Sequence, residues 1–88
     1  MEKINSRVAI DENGREVPPI PLGIYRHFKG NLYEVTGFAL HSETTEDMVI
    51  YKALYGERRT WVRSLTMWEE PVKLGERVVR RFELEDGE

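Results

Sequence analysis

Three consecutive residues, His41, Ser42 and Glu43, form the closest grouping of side chains suited to acid–base chemistry. In an extended segment, side chains two positions apart lie on the same face, so His41 and Glu43 point together toward a proton, a metal or a ligand. Ser42 then points away, which excludes a serine–histidine–acid triad within these three residues. The alternative is a structural role, in which the His41 ring donates a hydrogen bond to a backbone carbonyl and Ser42 or Thr44 closes a local turn.

A second histidine, His27, lies in a run of strand-forming residues. It has the same parity as Tyr25 and the opposite parity from Ile24 and Phe28, which we expect in the core. Tyr25 and His27 are therefore predicted to share an exposed face, where His27 supplies a second nitrogen to a site.

Arg63 lies next to apolar residues, with Trp61 two positions before it. A guanidinium beside a core usually has a carboxylate partner, which Glu34 or Glu43 can provide. The structural interpretation is that ion pair, and the functional interpretation is the binding of an anion by Arg63. Trp61 can likewise fill the core or stack on a nucleic-acid base, and both interpretations stay open.

Together these side chains define the binding groove that the sequence predicts. Its members are Tyr25, His27, His41, Glu43, Trp61 and Arg63. One histidine and one acid fall short of the three or four ligands of a zinc site, so we expect no metal. The glycines occur singly rather than in a phosphate-binding cluster, and we expect no cofactor.

The segments that must position these residues are short, apolar or alternating, and separated by turn signals. Strands are predicted over residues 23–28, 32–40, 48–55 and 60–63, with weaker ones at 72–74, 78–79 and 82–84. Gly37 inside the second strand indicates a bulge, and residues 65–68 indicate a single helical turn. This pattern predicts an all-β fold, a small barrel of about five to seven short strands.

Composition divides the chain into three parts. Residues 1–21 are predicted to be an extended, proline-containing arm, either loose or laid along the body as an edge strand. Residues 22–84 form the β-barrel domain, and residues 85–88 form an acidic tail that frays.

The overall composition limits the classes of function. The 88 residues include 16 acids, 13 bases and no cysteine, which excludes disulfides and thiolate metal sites. A net charge of −3 does not fit a protein that coats nucleic acid nonspecifically. No apolar run approaches the roughly 20 residues of a membrane span, and the N-terminus lacks the apolar stretch of a signal peptide. We therefore expect a cytoplasmic protein with no membrane association.

Four separated blocks, residues 23–35, 41–44, 49–56 and 61–68, resemble in order and spacing the bacterial family known as domain of unknown function 1653. The resemblance covers about residues 20–84. It implies a small SH3-like β-barrel and no particular activity. Ser64 stands where members usually have proline, which loosens the preceding turn, and Trp68 stands where phenylalanine is more frequent.

These observations favour a noncatalytic binding module whose surface groove takes a peptide, a nucleotide-like ligand or single-stranded nucleic acid. One alternative is a small acid–base enzyme that uses His41 and Glu43 in a site completed at a dimer interface. Another is a structural or regulatory adaptor that acts through an edge strand or the proline arm. The expected assembly is a monomer or a weak homodimer.

Overall fold

A computed structural model of the protein describes residues 6–85, which contain nine strands and one short helix. In chain order the elements are β1 (Ala9–Ile10), β2 (Glu16–Val17), β3 (Gly23–His27), β4 (Leu32–Leu40), β5 (Asp47–Ala53), β6 (Thr60–Ser64), α1 (Leu65–Glu69), β7 (Pro71–Leu74), β8 (Arg77–Arg80) and β9 (Phe82–Leu84). The predicted all-β class is confirmed, and α1 confirms the predicted helical turn. The predicted frayed tail at residues 85–88 and the predicted N-terminus without a signal peptide lie largely outside the described residues; Glu85, which is described, donates its backbone N–H to the Ile24 carbonyl at 2.8 Å.

Five strands form an antiparallel sheet in the order β6-β5-β4-β3-β9. Strands β3 to β6 pair with their neighbours in the chain, whereas β9 returns to pair with β3. Within residues 6–85, β6 and β9 do not pair, so the sheet keeps two edges and the expected closure into an SH3-like barrel is not confirmed. The chain between those two strands forms α1 and a separate hairpin, β7-β8.

One face of the five-stranded sheet, the inner face, packs against α1. Directly opposite residues of antiparallel strands share a face. Tyr25 lies opposite Tyr33, and Tyr33 lies opposite Ala53. Tyr51, which lies opposite Trp61, belongs to the same buried core as Tyr25. The inner face therefore carries aromatic side chains from β3, β4, β5 and β6.

The predicted orientation of β3 is wrong. Tyr25 is only 5% exposed and lies in the core, whereas Ile24 is 41% exposed on the outer face. The Tyr25 hydroxyl donates a hydrogen bond of 2.7 Å to the Pro21 carbonyl, which satisfies its polar atom and permits burial of the ring. His27 has the same parity and lies half-buried on the inner face opposite Phe82.

The bulge predicted at Gly37 is confirmed. The pairing of β4 with β5 shifts between Val35 and Gly37, so that Val35 lies opposite Tyr51 and Phe38 lies opposite Val49. The extra residue lets Phe38, rather than Gly37, continue the inner face beyond the bulge. Phe38 accordingly packs against the core.

Helix α1 begins at a capped residue and covers the core with two side chains. The Met67 N–H donates to the Ser64 hydroxyl at 3.1 Å, so Ser64 acts as the N-cap. Leu65 and Trp68 are buried, and the Trp68 ring stacks on Phe82 with centroids 3.6 Å apart. With five residues in α1, no helix within residues 6–85 is long and apolar enough to cross a membrane.

The described part of the N-terminal arm, from Ser6 onward, forms its own hairpin, β1-β2, and does not join the main sheet. Its start is held by the buried carboxylate of Asp47, which accepts hydrogen bonds from the Ser6 hydroxyl at 2.6 Å and the Arg7 backbone N–H at 2.7 Å. The Arg7 guanidinium also donates two hydrogen bonds to the carboxylate of Glu69 in α1. The arm is thus attached to both the sheet and the helix.

Candidate ligand-binding site

An aromatic cluster on the inner face extends from the core to the surface. Tyr33 lies at its centre, with its ring centroid 5.5 Å from Tyr51 and 5.4 Å from Tyr55. The hydroxyls of Tyr33 and Tyr55 share a hydrogen bond of 2.6 Å. Trp61, opposite Tyr51, is 54% exposed, and Tyr55 is 44% exposed. One phenol ring of the cluster and the indole of Trp61 on the same face are therefore open to solvent, while the other rings of the cluster are packed beneath.

Arg63 emerges on the same face because it lies opposite Val49, an inner-face residue. Its Cζ lies 5.8 Å from the centre of the Phe82 ring. Its Nε–H is buried and has no hydrogen-bond partner within residues 6–85. Arg63 also forms no ion pair in that part of the chain. A buried guanidinium N–H without a partner carries a desolvation cost that an anionic ligand can relieve.

Neither carboxylate predicted as a partner of Arg63 takes that role. Glu34 lies opposite Ile24 and Lys52, which places it on the outer face of the sheet, away from Arg63. Glu43 lies in the exposed turn between β4 and β5. The structural interpretation of Arg63, an ion pair beside the core, is therefore not found in the described residues.

His27 adds an imidazole ring to this region, and its surroundings shift the pKa of that ring. Its ring lies 5.0 Å from Phe82 and 6.3 Å from Tyr33. Burial lowers the pKa of His27 below its ordinary value, and the positive charges of Arg81, Lys29 and Arg63 lower it further. At neutral pH the imidazole is therefore uncharged.

The hydroxyl of Tyr33 is held in its neutral form. Burial, together with the hydrogen bond that Tyr33 shares with Tyr55, raises the pKa of Tyr33 to about 12. The neighbouring Arg63 acts in the opposite direction and lowers it. Tyr33 therefore acts as a packing and hydrogen-bonding residue at physiological pH rather than as a base.

Of the six predicted groove residues, the structure brings three together. His27, Trp61 and Arg63 lie on the inner face around the aromatic cluster, whereas the ring of Tyr25 is buried beneath it. We call the partly or fully exposed group on this face the aromatic–arginine surface; it consists of His27, Tyr33, Tyr55, Trp61 and Arg63.

His41 and Glu43 belong to a different place, the turn after β4. The Nδ1 atom of His41 accepts hydrogen bonds from the backbone N–H groups of Glu43 at 3.1 Å and Thr44 at 3.3 Å. No hydrogen bond or ion pair within residues 6–85 joins either side chain to the aromatic–arginine surface. The turn geometry supports the structural interpretation of His41. The backbone groups that satisfy its ring are N–H donors rather than the expected carbonyl acceptor. Metal-ligating side chains do not gather in groups of three or more in this part of the chain.

Sequence reasoning did not include Tyr33 or Tyr55 in the groove. The register of the β3-β4 hairpin places Tyr33 opposite Tyr25, a relation that follows from the turn at residues 28–31 once its length is known. Tyr55 lies beyond the end of β5, where no strand periodicity assigns it to a face. Its place beside Tyr33 depends on the path of the turn.

Comparison with known proteins gives two matches. Residues 23–84 match the model of the family described as protein of unknown function (DUF1653). A crystal structure of a DUF1653 protein from Bordetella bronchiseptica is similar, with 35% sequence identity, a TM-score of 0.69, and coverage of 75% of this chain and 87% of that one. A search of curated proteins found no match.

Proposed function

The chain belongs to the DUF1653 family, and we propose that it is a noncatalytic binding module whose aromatic–arginine surface takes a planar, anionic ligand. The sequence predicts three classes of ligand: a peptide, a nucleotide-like molecule and single-stranded nucleic acid. The geometry favours the second and third, which share a flat base and a phosphate.

The observation that carries this proposal is the position of Trp61 and Arg63 on one face. Trp61 offers an exposed indole, and a nucleobase stacked on an aromatic side chain gains about 1–3 kcal/mol. Arg63, two residues along the same strand, has a buried N–H without a partner in the described residues, and a guanidinium pairs well with phosphate.

The charges around the surface also favour an anionic ligand. Every charge that shifts the pKa of His27 is positive, and these charges belong to Arg81, Lys29 and Arg63. A local positive potential attracts an anion even though the whole chain carries a net charge of −3. The ligand is therefore expected to bind at one place rather than along an extended basic surface.

The test is an affinity measurement with two kinds of ligand. A fluorescently labelled oligothymidylate is titrated with the protein and followed by anisotropy, and adenosine monophosphate and a neutral peptide are used as competitors. Trp61→Ala is expected to weaken binding about fivefold to about 150-fold, the range that corresponds to the loss of one stacked base. Arg63→Gln should weaken binding and also reduce its salt dependence, because one phosphate contact is lost.

Two variants serve as controls. Val62→Ala changes an exposed residue on the opposite face of the same strand, and Arg77→Gln removes an arginine from the exposed end of the β7-β8 hairpin. Both should bind like the original chain. Unchanged affinity in Trp61→Ala and Arg63→Gln would overturn the proposed site, and displacement by the peptide rather than the nucleotide would overturn the proposed ligand class.

A further inference from the structure

A cavity of 430 Å³ lies between the N-terminal arm, α1 and β9, apart from the aromatic–arginine surface. None of the five residues of that surface lines it. Its volume falls within the roughly 300–1,000 Å³ of sites that bind small molecules. It is therefore large enough to hold a ligand of its own.

The greater part of the cavity wall is apolar. Tyr25, Trp68 and Phe82, each less than a tenth exposed, form an aromatic floor, and these rings are fixed because Trp68 stacks on Phe82 and meets Tyr25 edge to face at 5.4 Å. Ile20 from the arm and Leu84 from β9 contribute aliphatic surface. A flat apolar body fits such walls better than a polar one does.

One end of the cavity is cationic. Arg80 and Arg81 both line it, and Arg80 has no ion-pair partner within residues 6–85. The Nε–H of Arg81 is buried without a hydrogen-bond partner in the same range, and its Nη2 reaches Glu70 only at 3.4 Å. The side chain of Arg81 is thus largely buried, at 23% exposed, and its Nε–H is a buried donor that a ligand can satisfy.

Among the described residues, Glu69 is the one acidic residue that lines the cavity, and its charge is paired. Its carboxylate accepts both hydrogen bonds of the Arg7 guanidinium, and this contact lowers the pKa of Glu69 below its ordinary value. The carboxylate therefore stays ionised and paired with Arg7. Arg80, unpaired in the described residues, and Arg81, whose contact with Glu70 is long at 3.4 Å, give this end of the cavity its positive charge.

We propose that this cavity binds a small amphipathic anion, a planar apolar body that carries one carboxylate, with the carboxylate on Arg81 and Arg80 and the body against Trp68 and Leu84. The proposal is independent of nucleotide binding at the aromatic–arginine surface. A phosphate monoester of the same shape shares this chemistry, and the titrations below distinguish it from a carboxylate.

Each of the two tryptophans reports on one place, since Trp61 lies on the aromatic–arginine surface and Trp68 lines the cavity. The full chain, labelled with ¹⁵N, is titrated with 2-naphthoate, with 2-naphthyl phosphate and with the neutral 2-naphthylmethanol, and the two indole N–H signals are followed. We expect 2-naphthoate to shift the Trp68 signal and leave the Trp61 signal in place. The neutral alcohol should bind at least about tenfold more weakly, because it lacks the charge-assisted hydrogen bonds.

Arg81→Met, which keeps an unbranched apolar stem, should weaken 2-naphthoate binding by at least about tenfold. Arg80→Met provides a second variant on the exposed side of the cavity, with a smaller loss expected, and Arg77→Met is the matched control that does not line the cavity. No shift at Trp68 with millimolar 2-naphthoate would overturn the proposal. So would equal binding of acid and alcohol, unchanged binding in both Arg81→Met and Arg80→Met, or tighter binding of the phosphate than of the carboxylate.

Discussion

The two tryptophans should differ strongly in what they contribute to stability. Trp68 is 3% exposed, stacked on Phe82 and in contact with Tyr25, whereas Trp61 is 54% exposed. If the side chain of tryptophan offers about 200 Å² for burial, then about 25 cal/mol per Å² gives a burial free energy of about 5 kcal/mol for Trp68 and about 2 kcal/mol for Trp61.

We therefore expect Trp68→Ala to lower the free energy of unfolding by about 3–5 kcal/mol, and Trp61→Ala by about 2 kcal/mol or less. A domain of this length has a total stability of about 4–13 kcal/mol, so Trp68→Ala removes a large part of it. Urea unfolding, followed by circular dichroism so that the probe does not depend on either indole, gives both values.

The comparison separates two accounts of Trp61. If Trp61 is a surface residue available to a ligand, its removal leaves a folded protein in which a change in affinity can be measured. Equal losses of stability in the two variants would show that Trp61 is a core residue like Trp68. That result would refute the reasoning that places it on the binding surface.

Three further changes follow from individual contacts. Ser64→Ala removes the N-cap of α1 and should cost about 1 kcal/mol in urea unfolding. Asp47→Asn weakens the acceptor of the Ser6 hydroxyl and the Arg7 N–H, and should speed hydrogen exchange at the Arg7 amide while β4 and β5 stay protected. Because the folded-state pKa of His27 is lowered, the unfolded chain takes up this proton first, and the contribution of His27 to stability is lost as pH falls from about 6.5 through the lower folded-state pKa. Its NMR titration midpoint should lie below about 6.5, and the His27→Gln variant should lose less stability between about pH 7 and pH 5.

Much of the fold was predictable because its signals are local. Gly37 interrupts an alternating run and produces a bulge, and the turn before Arg77 joins two short strands into a hairpin. The helical turn beginning at Leu65 follows a residue whose hydroxyl caps it. In each case the responsible residues lie within a few positions of the feature.

Features that depend on distant parts of the chain were not predictable. In β3 both parities carry apolar residues, so the alternation defines two faces but does not say which is buried. Tyr25 is inside because its ring packs against Trp68, far along the chain, while its hydroxyl donates a hydrogen bond to the nearby Pro21 carbonyl. The attachment of the arm rests on Arg7 and Asp47, which are 40 positions apart.

In the candidate site, too, some placements follow from the local spacing of residues and others do not. Trp61 and Arg63 share a face by simple alternation, and the register of β6 agrees with that spacing. His41 and Glu43 satisfy the same rule of spacing, yet the chain turns there and backbone N–H groups occupy the ring nitrogen of His41. Spacing predicts a common face only while the backbone remains extended.

The most direct test of the central proposal is a titration of the ¹⁵N-labelled chain with oligothymidylate, followed at the two indole N–H signals. Binding at the aromatic–arginine surface predicts that the Trp61 signal moves in proportion to occupancy while the Trp68 signal stays in place, and that Arg63→Gln weakens the response. A Trp61 signal that does not move at saturating oligonucleotide, or one that moves equally in the Arg63→Gln variant, would contradict it.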